Sequence, residues 1–214
     1  MPTDSRPLIV AGIDVGGRGK GFHGVSLRNG MYHQKYHSKD VAEIVNWCRY
    51  GVKAMVVAID APCRWSTDGR ARPAERQLMQ EEIQCFASPT KRVALNHSRD
   101  NYGWMLNGEA LFSDLERTHS LCTSIPLSVG QQQCFETFPH AVSCALSKGL
   151  VSAKNKRTLR RALLEQAGID TANLTNIDLV DAALCALTAH YLASGRPCNG
   201  YGEPSTGLII VPKL

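Results

Sequence analysis

At 214 residues the chain has material for one sizeable hydrophobic core and not comfortably for two. A hydrophobic fraction of 43% beside 20% charged residues excludes an intrinsically disordered chain, and no uncharged apolar run is long enough to span a bilayer. The net charge of +5 and a pI near 8.8 permit a nucleic-acid partner without requiring one.

The first residues, MPTDSRPLIVAGIDVGG, place an acid before a short apolar run that continues into GIDVGG, so they do not read as a signal peptide. A cytoplasmic protein without a membrane segment is expected. LIVAGIDV, residues 8–15, is an apolar strand closing on Asp14, and Gly16 and Gly17 break it. FHGVSL (22–27) and MYHQKY (31–36) flank Asn29-Gly30, a step that signals a tight hairpin. Three antiparallel strands therefore open the chain. From 39 to 50 the period becomes helical through Val41, Ile44, Val45 and Cys48, with Gly51 as a stop. AMVVAID, residues 54–60, is apolar without alternation, as a strand buried on both faces would be, and ends in Asp60 before Pro62 stops the ladder.

Residues 63–130 are the least regular. Arg64, Arg70, Arg72 and Arg76 accompany a polar helix expected at 73–84, and a second helix is expected near 109–119. The segment reads as an insertion or lid within a single domain of residues 1–214, and Arg72 or Arg76 is expected to reach the cleft. QQCFETF, residues 132–138, is a strand closed by Pro139. Helices are expected at about 140–148, 156–167 and 177–194, the last capped by Thr175 or Asn176, and GLIIVP (207–212) is a final short strand behind a glycine- and proline-rich loop. The eight cysteines include no CxxC pair and read as reduced thiols, several in the core. The pattern predicts an α/β fold: a mixed sheet with helices on both faces, because the opening connections are too short for right-handed crossovers.

The chemistry lies in the acids. Asp14 and Asp60 end two strands that, if adjacent, project both carboxylates into one crevice at the carboxyl edge of the sheet. Glu136, at a later strand end, could join them. Asp178 and Asp181 are three apart and share a helix face that continues as Ala182, Cys185 and Ala189, small residues that let the helix lie close to the sheet. Converging carboxylates repel one another, and a divalent cation relieves that; Mg2+ or Mn2+ suits an all-oxygen set. Two such ions roughly 4 Å apart can activate water and stabilise the leaving oxygen of a phosphodiester. Each acid also has an ordinary structural use, in turn amides or at a helix N-terminus.

With those residues in view, the chain resembles the domain of unknown function 429 family, described as predicted ribonuclease H-like nucleases. The matching stretches are GIDVGGRGKGFHGV (12–25), VAIDAPCRW (57–65), GRARPAERQL (69–78), FETFPHA (135–141), IDLVDAALCALTA (177–189) and the terminal GLIIVP. The resemblance implies a ribonuclease H-like fold with a five-stranded core whose first three strands are antiparallel. It also implies distant similarity to Holliday-junction resolvases. Asp14 then resembles the first-strand aspartate of that superfamily, Asp60 the fourth-strand acid (glutamate in the resolvases), and Asp178 with Asp181 the closely spaced pair on the last helix. Glu136 with Pro139 and His140 looks like this family's own signature.

The leading expectation is a metal-dependent nuclease. Asp14, Asp60, Asp178 and Asp181 hold Mg2+ or Mn2+, and Arg72, Arg76, Lys91, Arg92, Arg157 and Arg161 contact substrate phosphates. One alternative is an actin-like ATPase or phosphotransferase, suggested by GIDVGG and GKGFHG, although GRGKG lacks the GK[ST] ending of a Walker A loop. Another is a non-catalytic binding or scaffold protein whose acids are neutralised internally, by Arg72 and Arg76 above all. Nucleic acid is the expected partner, and a homo-oligomer is compatible with the sequence.

Overall fold

The computed structural model describes residues 6–99, 101–127, 130–152 and 154–213. β1 (Ile9–Val15), β2 (Phe22–Arg28) and β3 (Met31–Ser38) form the antiparallel opening. The turn between β2 and β3 uses Asn29 and Gly30, both at positive φ, 51° and 82°, as a tight hairpin of matching twist demands. α1 (Val41–Asn46) is capped by Asp40, whose carboxylate accepts from Ala42 N and Glu43 N, and runs into a single π-helical turn, Trp47–Gly51. β4 (Val56–Asp60) returns parallel to β1.

α2 (Pro73–Gln80), the short α3 (Lys91–Leu95) and α4 (Gly103–Leu115) follow, then β5 (Ser120–Leu121) and β6 (Gln133–Glu136). α4 begins six residues earlier than the sequence suggested. Its start has no side-chain cap, so no capping residue marked it. α5 (Pro139–Leu146), α6 (Lys156–Gln166) and α7 (Ile177–Ala193) precede β7 (Cys198–Glu203) and β8 (Gly207–Pro212). β7 occupies what read as loop. Its two glycines and half-exposed side chains disguise a strand that exists because β8 offers it an antiparallel partner.

All strands lie in one sheet ordered β3-β2-β1-β4-β6-β8-β7, with β5 paired to β6. The first three strands are antiparallel, and β1, β4, β6 and β8 run parallel. This is the ribonuclease H-like mixed sheet. One face carries Val10, Val25, Val56, Ala58 and Phe135 against α7 and α5; the other carries Ala11, Ile13, Val57, Ile59 and Cys134 against α1 and α4. Strand alternation thus divides each central strand between two cores, which is why the 54–60 run shows no polar position before Asp60. Among the described residues no helix is long and apolar enough to cross a membrane. The eight cysteines are free thiols.

Candidate functional site

Register decides the site. Asp14 pairs with Asp60 across the parallel β1–β4 ladder, so their side chains leave the same face at adjacent strand ends. That face is the one covered by α7. Gly12, two residues before Asp14, meets α7 backbone directly: a Cβ at Gly12 would lie 2.1 Å from both the Ala182 carbonyl oxygen and the Ala186 nitrogen. With Ala182, Cys185, Ala186 and Ala189 fully buried along the contact, the helix rests on the sheet almost backbone to backbone. Asn176 fixes where it begins, its side chain accepting from Leu179 N at 2.8 Å. The first turns of α7 thereby bring Asp178 and Asp181 to the strand ends.

The four aspartates share one electrostatic environment. Burial, then Asp181 and Asp178, push the Asp14 carboxyl up to about 8. Burial, then Asp14 and Asp181, hold Asp60 well above the usual carboxylate range. Among the described residues neither Asp14 nor Asp60 makes a side-chain hydrogen bond or ion pair. The helix acids differ. Arg160 of α6 donates to Asp181 in a buried ion pair, and burial still raises the Asp181 carboxyl despite it. Lys20, in the β1–β2 turn, lies 3.2 Å from Asp178 and is largely exposed. Among the described residues no three histidine, cysteine or acidic side chains are gathered tightly enough to cage a metal ion as they stand. Two acids have no direct partner, feeling Lys20, Lys156 and Arg160 only at a distance, and two are held by cations.

Glu136 does not join this set. It pairs with Ile59 rather than Asp60, one residue out of phase, so it departs toward the opposite core. There it accepts from Cys63 N at 2.8 Å and receives both terminal nitrogens of Arg72, at 2.9 and 2.6 Å. Nε of Arg72 donates to Glu75 at 2.8 Å, and Glu75 also accepts from Ser88 Oγ at 2.6 Å. Every guanidinium nitrogen is engaged and the side chain is 2% exposed, so Arg72 leaves the set of substrate contacts. It ties the 63–90 segment to β6 and reaches Glu136, not the aspartates.

The other predicted cations are dispersed. Arg76 is exposed and donates to the Ala71 carbonyl. Lys91 pairs with Glu109 at 2.9 Å, and Arg92 is exposed on α3. Arg157 and Arg161 donate to the Thr175 and Thr171 carbonyls, each at 2.9 Å, and so brace the loop that leads into α7. The cations that do meet the acids, Arg160 and Lys20, were not singled out from sequence. Arg160 sits in a basic run with nothing local to separate it from Arg157 and Arg161. On the far side of Asp60, a narrow cleft of about 60 Å3 is walled by Phe86, Trp104 and Phe138. Phe86 is 59% exposed and meets Tyr102 and Trp104 edge to face.

A family model described as "Protein of unknown function (DUF429)" matches residues 12–206. Among solved structures, a Thermus thermophilus RuvC structure is similar at 18% identity, covering 88% of this chain and 97% of that one, with a TM-score of 0.47. No curated protein matches the chain.

Proposed function

The chain belongs to the DUF429 family, and from that membership and the acid cleft we propose that it hydrolyses phosphodiester bonds of nucleic acid with a divalent metal ion. The observation that carries the proposal is the pair of acids without a direct partner, Asp14 and Asp60, side by side at adjacent strand ends. Two buried acids without a hydrogen-bond or ion-pair partner, Asp60 raised further by Asp14 and Asp14 by the helix acids, are a destabilising arrangement that a bound cation would convert to a stabilising one. An all-oxygen donor set fits Mg2+ or Mn2+, with no thiolate or imidazole among the four acids.

Asp14 and Asp60 would hold the ion, joined by Asp181 once it exchanges Arg160, and by Asp178 once it exchanges Lys20. When bound, the ion would polarise a phosphoryl oxygen and lower the pKa of its water. The chain's own part is to place the four acids, and to present Arg160 and Lys20, freed in that exchange, to the substrate's phosphate charge. Phe86, exposed and backed by the half-buried Tyr102 and Trp104, suits an unstacked base, which favours single-stranded or locally opened substrates.

One observation favours the scaffold reading: Arg160 and Lys20 already neutralise two of the four acids. A pooled cleavage screen over single-stranded, hybrid, duplex and branched nucleic acids, with Mg2+ or Mn2+, separates the two. Turnover by the wild type, lowered roughly a hundredfold or more in Asp14→Asn, is expected for the nuclease. Absence of cleavage together with no calorimetric binding of either ion, with or without a phosphodiester ligand, leaves the scaffold.

A further inference from the structure

The row of titratable side chains does not stop at the acids. Register continues from Asp60 to Asp14, from Asp14 to His23 on β2, and from His23 to His37 on β3. Directly paired residues point to the same side, so all four stand abreast across four strands on the face that α7 covers. Lys35, two residues before His37, shares that side and pairs in register with Val25 of the α7-side core. Neighbouring strands lie about 4.8 Å apart, which puts His37 about 10 Å from Asp14.

These residues border an open groove of about 510 Å3, lined by His23, Lys35, His37 and, from the start of α7, Thr175 and Asn176. His23 is only 8% exposed, and its Nδ1 is buried with no hydrogen-bond partner. A polar nitrogen left so is costly. Its ring lies 4.5 Å from that of His37. His37 Nε2 is 2.9 Å from the Lys20 carbonyl oxygen, an acceptor only, so Nε2 carries the proton. Lys35 Nζ is anchored at 2.8 Å to the Asn173 carbonyl, which holds its ammonium at the groove. Asn176 spends its oxygen capping α7 and keeps its amide donors. Of the acids beside the groove, Asp178 is paired with Lys20, and Asp14 is the cross-strand neighbour of His23. The groove therefore offers the Lys35 ammonium and the Asn176 amide as donors, between the rings of His23 and His37.

We propose that this groove is a phosphate-binding subsite beside the acid cleft, in which Lys35 and the Asn176 amide receive the non-bridging oxygens of a phosphate group that lies against the rings of His23 and His37. A strand whose reacting phosphate lay at the aspartates would carry a neighbouring phosphate over the imidazoles. Only the choice of a backbone phosphodiester over a terminal monoester rests on the nuclease reading; the subsite itself does not.

The test is metal-free binding to the full chain, followed by the ring-nitrogen resonances of its histidines at constant pH. Dimethyl phosphate, inorganic phosphate and the dinucleotide thymidylyl-thymidine are titrated in turn, with His23→Gln used for assignment. Saturable shifts of His23 and His37 are expected, with the dinucleotide binding tightest and its affinity reduced at least fivefold in Lys35→Gln. His37→Gln, a second exposed substitution, should weaken binding similarly while circular dichroism stays unchanged. Tighter binding of inorganic phosphate than of the dinucleotide would support the subsite and assign it to terminal monoesters. Silent histidine rings, or a response that Lys35→Gln leaves unaltered, would overturn it. Binding without cleavage in any metal would sink the nuclease reading and leave the subsite standing, whereas cleavage without a ring response would remove the subsite alone.

Discussion

Replacing Asp14 by Asn should stabilise the metal-free protein, and the gain should depend on pH. A carboxyl whose folded pKa is raised binds its proton more tightly folded than unfolded. Its contribution to stability is complete below the unfolded pKa and is lost as pH rises through the folded one. For Asp14 that window runs from 3.8 to about 8. At pH 7 the shift corresponds to a ceiling of roughly 4 kcal/mol, at about 1.4 kcal/mol per pH unit. Asp14 is partly exposed at the cleft floor, so solvent screening reduces this to about 2 kcal/mol. Asparagine keeps the volume and never ionises. Urea unfolding of both proteins at pH 4 and pH 7 should therefore show little difference at pH 4 and Asp14→Asn ahead by about 2 kcal/mol at pH 7. Millimolar Mn2+ should raise the wild-type midpoint at pH 7 and leave that of Asp14→Asn nearly unmoved, because an ion bound only to the folded state stabilises it by mass action. If Asp14→Asn is equally or more destabilised at pH 7 than at pH 4, the carboxylate has a stabilising partner. The crowding argument then fails.

Gly12→Ala would drive a methyl into the α7 backbone at Ala182 and Ala186, neither of which can yield as a side chain would. A loss of about 1–3 kcal/mol in urea midpoint analysis is expected, together with weaker divalent-cation binding as α7 lifts from the strand ends; an unchanged midpoint would mean that the helix is not seated as described. Arg160→Met leaves Asp181 buried and uncompensated, a loss of about 3–5 kcal/mol at pH 7. That loss should shrink as the pH falls and Asp181 takes up a proton, and adding Asp181→Leu should restore most of it. Equal losses at pH 4 and pH 7 would show that Arg160 acts through packing alone.

Much of the fold could be read locally. Apolar runs that end in Asp14 and Asp60, the Asn29-Gly30 turn and the Asn176 cap each act within a few residues, so their physics is written in the chain itself. The small-residue face of Ala182, Cys185 and Ala189 likewise announced close packing, and with it the approach of Asp178 and Asp181 to the sheet. Strand phase and pairing were another matter. Glu136 looked equivalent to Asp60 because both end strands, yet a one-residue offset in the β4–β6 ladder turned it to the other face and into the grip of Arg72. β7 was hidden because an edge strand of glycines and half-exposed residues is stabilised by its neighbour's hydrogen bonds rather than by its own composition. Arg160 differs from Arg157 and Arg161 only in the direction that α6 happens to face. The row from Asp60 through His37 needed three separate registers to agree. Hydrophobic period and capping are short-range and survive in the sequence; which charges come to face one another depends on contacts between residues far apart in the chain, and those exist only once it has folded.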